Sequence, residues 1–96
     1  MEIKTVAGLH EMLKGAVVIK GQGVEVTDEK RLRGEPIDAL IYNAVFSADA
    51  GVAAEARRLV TAIGESLGIR SASIHGLYMA MGRGECAGFT VPAVNI

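Results

Sequence analysis

The sequence predicts a small α/β domain: a parallel or mixed sheet flanked by helices. Three observations carry that expectation. Residues 16–26 (AVVIKGQGVEV) are rich in β-branched side chains and are broken by a Gly21-Gln22-Gly23 turn signal. From Ala39 to Phe46 the chain is almost continuously apolar, the pattern of a strand buried on both faces of a parallel sheet. Beyond it, Val52, Ala56, Leu59, Val60, Ile63 and Leu67 recur at helical spacing, with Glu55, Arg58, Thr61 and Glu65 off the stripe.

Each element follows in chain order. Val6 to Lys14 (VAGLHEMLK) is a short helix with Val6, Leu9 and Leu13 on one side, although Gly8 weakens it. Residues 16–26 form two short strands, or one bent strand, with the glycines at the turn. Thr27 to Pro36 is charged and holds Gly34 and Pro36, so it is expected to be a loop. Ile37 to Phe46 (IDALIYNAVF) is the buried strand. Ser47 and Asp49 are candidate N-caps for a helix over 51–67, and Gly68 is placed to end it in a left-handed conformation. Ser73 caps a further helix, Ile74 to Met81, whose Ile74, Leu77, Tyr78 and Met81 share one face. Gly82 and Gly84 stop it, and Phe89 to Ile96 (FTVPAVNI) reads as a strand. This order implies a right-handed β–α–β crossover. The chain divides into an α/β segment, 1–72, and a helix plus strand, 73–96, packed as one domain.

Length and composition bound the function. Ninety-six residues make one small domain, 50% apolar and only 22% charged. A chain of this size buries only about 60% of its unfolded surface. The surplus apolar surface is therefore expected to be covered in a homo-oligomer or by the remainder of a larger fold. A net charge of −1 and a pI near 6.1, with scattered basic residues, argue against a nucleic-acid partner. The local group Lys30, Arg31 and Arg33 is interleaved with Asp28, Glu29 and Glu35, and reads as a solvated loop. A single cysteine, Cys86, fits a reducing, cytoplasmic compartment. The first ten residues carry Glu2 and Lys4 without an apolar segment, so no signal peptide is expected, and no apolar run is long enough to span a membrane.

Most chemical motifs dissolve on inspection. Gly82, Gly84 and Gly88 give G-x-G-x-x-x-G, one residue too long for a dinucleotide fingerprint and in a helix-to-strand context rather than strand-to-helix. Gly21-Gln22-Gly23 lies between strand-like runs, with no helix N-terminus to offer its amides. His10, His75 and Cys86 are the only soft or borderline metal ligands and are widely separated, so no metal site is expected within this chain. Cys86 has no arranged base beside it for nucleophilic chemistry. Two amides interrupt apolar runs: Asn43 in LIYNAVF and Asn95 in VPAVNI. A buried amide must find hydrogen bonds, and Asn43 is expected to bond to nearby backbone. Asn95 stands at the C-terminal end of a strand, where α/β barrels place ligand-contacting side chains.

Leu77 to Ile96, LYMAMGRGECAGFTVPAVNI, resembles the start of the barrel in class II, metal-dependent fructose-bisphosphate aldolases. There a glycine-terminated helix leads into a first strand of the form (F/Y)-(A/T)-(V/I/L)-P-A-(V/F/I)-N-(V/I/C). Phe89, Thr90, Val91, Pro92, Ala93, Val94, Asn95 and Ile96 match it position by position. The segment Ala39 to His75 looks like the N-terminal extension of some aldolase-like proteins. The resemblance implies the N-terminal part of a (β/α)8-barrel lyase that cleaves a C–C bond of a ketose phosphate. Asn95 is the residue carried over, as a substrate-contacting side chain. The family's zinc or other divalent metal, and its catalytic acid/base, belong to later strands absent from this sequence. The apolar run at Phe89–Ile96 is then what a barrel cut after its first strand would show. The isolated chain is expected to be inactive. The alternative is a non-catalytic α/β association module that forms a homo-oligomer.

Overall fold

A computed structural model describes residues 2–21 and 23–68, together with the backbone of two short strands at 85–86 and 89–90. The element order is α1 (Val6–Leu13), β1 (Val17–Lys20), β2 (Gly23–Val26), α2 (Glu29–Leu32), α3 (Glu35–Phe46), α4 (Ala50–Ser66), β3 (Glu85–Cys86) and β4 (Phe89–Thr90). The mixed α/β character expected from the sequence is present, but the sheet is not parallel. β1 and β2 pair antiparallel, from Val17 opposite Val26 to Lys20 opposite Gly23, and β3 and β4 form a second antiparallel pair. The glycine-interrupted run is thus a tight hairpin, the first of the two arrangements open to it. Gly21 takes φ +56°, a left-handed conformation that glycine adopts without steric penalty.

The largest correction concerns Ile37 to Phe46, which is helix rather than strand. α3 runs for 12 residues, and Ile37, Ala39, Leu40, Ile41, Asn43 and Ala44 are all buried. Those positions form the face that packs against α1, α2 and α4, with the β3 backbone alongside. The opposite, more open face carries Tyr42, Val45 and Phe46 rather than charged residues beyond Asp38, so the apolar run imitates a buried strand. The segment 27–36 is corrected too. Asp28 accepts a hydrogen bond from the Arg31 amide at 3.1 Å and caps the single turn of α2, and Gly34 then starts α3 with Pro36 in its first turn. With residues 37–46 helical, the β–α–β crossover is absent among the described residues.

The other two helices match their sequence patterns. The Asp49 carboxylate accepts from the Val52 amide at 2.9 Å and caps α4, while the Ser47 hydroxyl turns to the Asp49 backbone instead. Gly68 lies at φ +73°, as expected of the residue that ends α4. In α1, Leu9 and Leu13 are buried, and Val6 is left 38% exposed. Leu9, Leu13, Leu32, Ile37, Leu40, Ile41, Leu59 and Ile63, all fully buried, join the four helices into one core that also takes in Val17 of β1. Burial of each such side chain contributes about 1.5–3 kcal/mol of hydrophobic transfer free energy. The expected helix 74–81, the boundary near residue 72 and the strand beyond Thr90 lie outside the described residues.

Candidate functional site

Asn95, the substrate-contacting residue implied by the aldolase resemblance, lies outside the described residues, as does His75. Among the described residues the polar groups that converge belong to the 2–68 unit, in three places.

The first is a buried amide. Asn43, in the middle of α3, has no solvent exposure. Its Nδ2 donates to the Ala39 carbonyl at 2.7 Å, one turn back, and its Oδ1 accepts from the Ile3 amide at 2.9 Å. The expected bond to nearby backbone is therefore present. The second bond reaches across 40 residues and fastens the extended N-terminal segment to α3. Glu2 adds a neighbouring tie, its carboxylate accepting from the Ala48 amide at 3.0 Å. Together these bonds seat residues 2–4 along α3. That seat needs a small residue in α1, since a Cβ at Gly8 would come within 2.9 Å of the Ile3 side chain.

A second cluster links α1 to α4. His10 Nε2 lies 2.7 Å from Glu55 Oε2, and Arg58 donates from Nε to Oε1 at 2.7 Å and from its terminal nitrogen to Oε2 at 2.8 Å. The Arg58 hydrogen bonds are the main reason that the Glu55 carboxyl is pulled down to about 2, against the opposing effect of partial burial, with His10 lowering it further. The same contact raises Arg58. A carboxylate held ionised this firmly does not exchange protons near neutrality. Among the described residues no serine or cysteine hydroxyl or thiol is bonded to His10, so the trio lacks a nucleophile. Its chemistry is that of a charged brace between helices. The sequence shows Glu55 and Arg58 only as off-stripe polar positions, and their i,i+3 spacing is the one signal of the pair.

The third place is a cleft of about 590 Å³ between the N-terminal segment, the end of α1 and the start of α3. Ile3, Met12, Pro36 and Ala39 give it apolar lining, Lys14 and Arg31 bring two cations to it, and Glu2 and Glu35 two carboxylates. Nothing in the local sequence pattern marks this convergence, because the lining residues are spread over more than thirty positions.

For a metal, the described residues contain no group of three or more His, Cys, Asp or Glu side chains arranged to hold one. His10 already has Nε2 committed to Glu55, so these residues do not fit the divalent metal of the aldolase family. No helix among them is long and apolar enough to cross a membrane. No family model matches the chain, and no curated protein or solved structure is significantly similar to it.

Proposed function

We propose that the chain is the N-terminal portion of a class II aldolase-like lyase, with residues 2–68 acting as a packing or subunit-association unit ahead of the barrel. The observation that carries this reading is the run FTVPAVNI, Phe89 to Ile96, behind the Gly82-Arg83-Gly84 stop. Two structural features agree with it. Phe89–Thr90 is extended, although paired antiparallel with Glu85–Cys86, and residues 2–68 share one core. In this reading the chain's contribution to chemistry is the Asn95 amide, which positions a ketose phosphate by hydrogen bonding. The family's divalent metal, usually zinc, supplies Lewis-acid chemistry at the substrate carbonyl when bound, and no step is assigned through it to the residues described.

The test is the protein carrying whatever sequence its gene encodes beyond Ile96. It should cleave a ketose phosphate, lose that activity to EDTA and regain it with zinc. Asn95→Ala should lower kcat/KM roughly ten- to a hundredfold through misplaced substrate. A reading frame that stops at Ile96, or a longer protein without metal-dependent cleavage, would overturn the proposal.

One observation favours the second reading, a non-catalytic association module. Phe46 is 49% exposed at the end of α3, its ring centroid 5.3 Å from that of Tyr42. A half-exposed aromatic ring suits a contact between copies. Light scattering of the 96-residue chain would then report a dimer that Phe46→Ser converts to monomer.

A further inference from the structure

We propose that the cleft between the N-terminal segment, α1 and α3 is an oxyanion-binding site, taking a small organic carboxylate or phosphate ester whose carbon body lies against the apolar lining. The inference is independent of the aldolase-like reading. It rests on an accounting of the charges around the cleft. Lys14, just past the end of α1, and Arg31, in α2, reach the same cleft from different elements. Neither makes an ion pair among the described residues, although this part of the chain is rich in carboxylates.

Three nearby carboxylates are bonded elsewhere. Glu29 pairs with Arg33 at 2.7 Å. The Asp28 side chain accepts from the Arg31 backbone amide and so caps α2 without meeting the Arg31 guanidinium. Glu2, which lines the cleft, bonds to the Ala48 amide. Glu35, also in the lining, occupies the first turn of α3, where a carboxylate is favoured by the helix dipole. Lys14 and Arg31 thus share one concave surface with Glu35 and with Glu2, the latter bonded to Ala48, and neither cation is paired to them.

Arg31 also packs close to backbone. A Cβ on Gly15 would come within 3.2 Å of the guanidinium carbon, so the planar group lies against the bare Gly15 backbone at a point where φ is +92°. Arg31 is exposed, and no hydrogen bond engages its guanidinium among the described residues. A guanidinium beside an ammonium is a suitable pair for a carboxylate or phosphate, the first by bidentate hydrogen bonding and the second by charge. Ile3, Met12, Pro36 and Ala39 supply contact for an attached apolar group.

The test is an NMR titration of the full 96-residue chain with inorganic phosphate, glycerol 3-phosphate and hexanoate, against sodium chloride at equal ionic strength. Saturable shifts are expected at the amides of Gly15, Arg31 and Ala39 and at the Arg31 Nε–H, with at least one of the three probes. Arg31→Ala should weaken that binding at least tenfold, and Arg31→Lys should restore only part of it. Lys30→Ala, one residue away and outside the cleft, should leave it unchanged. Glycerol 3-phosphate or phosphate binding above hexanoate identifies a phosphate ligand, and the reverse order a carboxylate. Shifts equal to those in chloride, or binding equally weakened by Lys30→Ala, would overturn the proposal. A fold-neutral control, unchanged amide dispersion in each variant, separates lost binding from lost structure.

Discussion

Asn43 shows how one polar atom pair fixes a chain segment. Its side chain is fully buried, so Asn43→Ala leaves the Ile3 amide and the Ala39 carbonyl short of partners and opens a small void. The expected loss is about 2–3 kcal/mol in urea denaturation. Asn43→Asp keeps the acceptor for Ile3 but cannot donate to Ala39 when ionised. It should be more harmful at pH 7 than at pH 4, where the protonated acid regains a donor. Glu55 makes the complementary prediction for acid. Its carboxyl is depressed in the folded state to about 2 from an ordinary value of 4.5, so the stability that it contributes is complete above the ordinary value and declines as pH falls from there toward 2. Glu55→Gln should therefore lower stability at pH 7 and flatten the acid limb of a stability–pH profile. An unchanged acid limb would show that the brace between α1 and α4 contributes nothing. Neither residue's long-range tie is legible in its local sequence. Asn43 is visible as an interruption of an apolar run, but its partner stands 40 positions earlier, and no local pattern encodes such a bond.

At the scale of elements, the sequence yields those whose signal is local. α4 carries an apolar stripe, a capping aspartate and a terminal glycine, and each appears where expected. The hairpin follows from β-branched residues on either side of a glycine turn. Gly21→Ala should cost about 1 kcal/mol, all of it from backbone strain, because a Cβ there meets nothing within 4 Å. Gly21→Asn should cost less, since asparagine tolerates the left-handed region. α3 is the informative failure. Its apolar run fits a buried strand or an enclosed helix equally well, and periodicity cannot separate the two. The deciding signs lie at its start: Gly34, then Glu35 and Pro36 in the first turn, then Asp38. Those are helix-opening residues, and a run of 12 exceeds the usual strand. Reading Gly34 and Pro36 as loop punctuation conceals the helix they introduce.

Across the molecule, residues 2–68 gather large aliphatic side chains of the four helices and Val17 of the hairpin into one core, while Val6, Val18 and Phe46 stay exposed. Leu59, fully buried in α4, is a test of that unit, and Leu59→Ala should cost about 2–5 kcal/mol in a single cooperative transition. A transition that splits in two would mean that the core is not one unit. The candidate sites were legible only in part. The aldolase-like run is written in consecutive residues, whereas the cleft joins positions from Ile3 to Ala39 that only folding brings together.

The Ala16 carbonyl oxygen receives both the Thr27 amide at 2.9 Å and the Asp28 amide at 3.1 Å. One atom thereby clasps the mouth of the hairpin to the residue that launches α2. The two protons bound there should exchange with deuterated water in lock-step, at a shared rate, because neither can be released without loosening the same knot. That oxygen thereby helps to set where the short helix carries the Arg31 guanidinium, alongside the anchorage of Leu32 in the core.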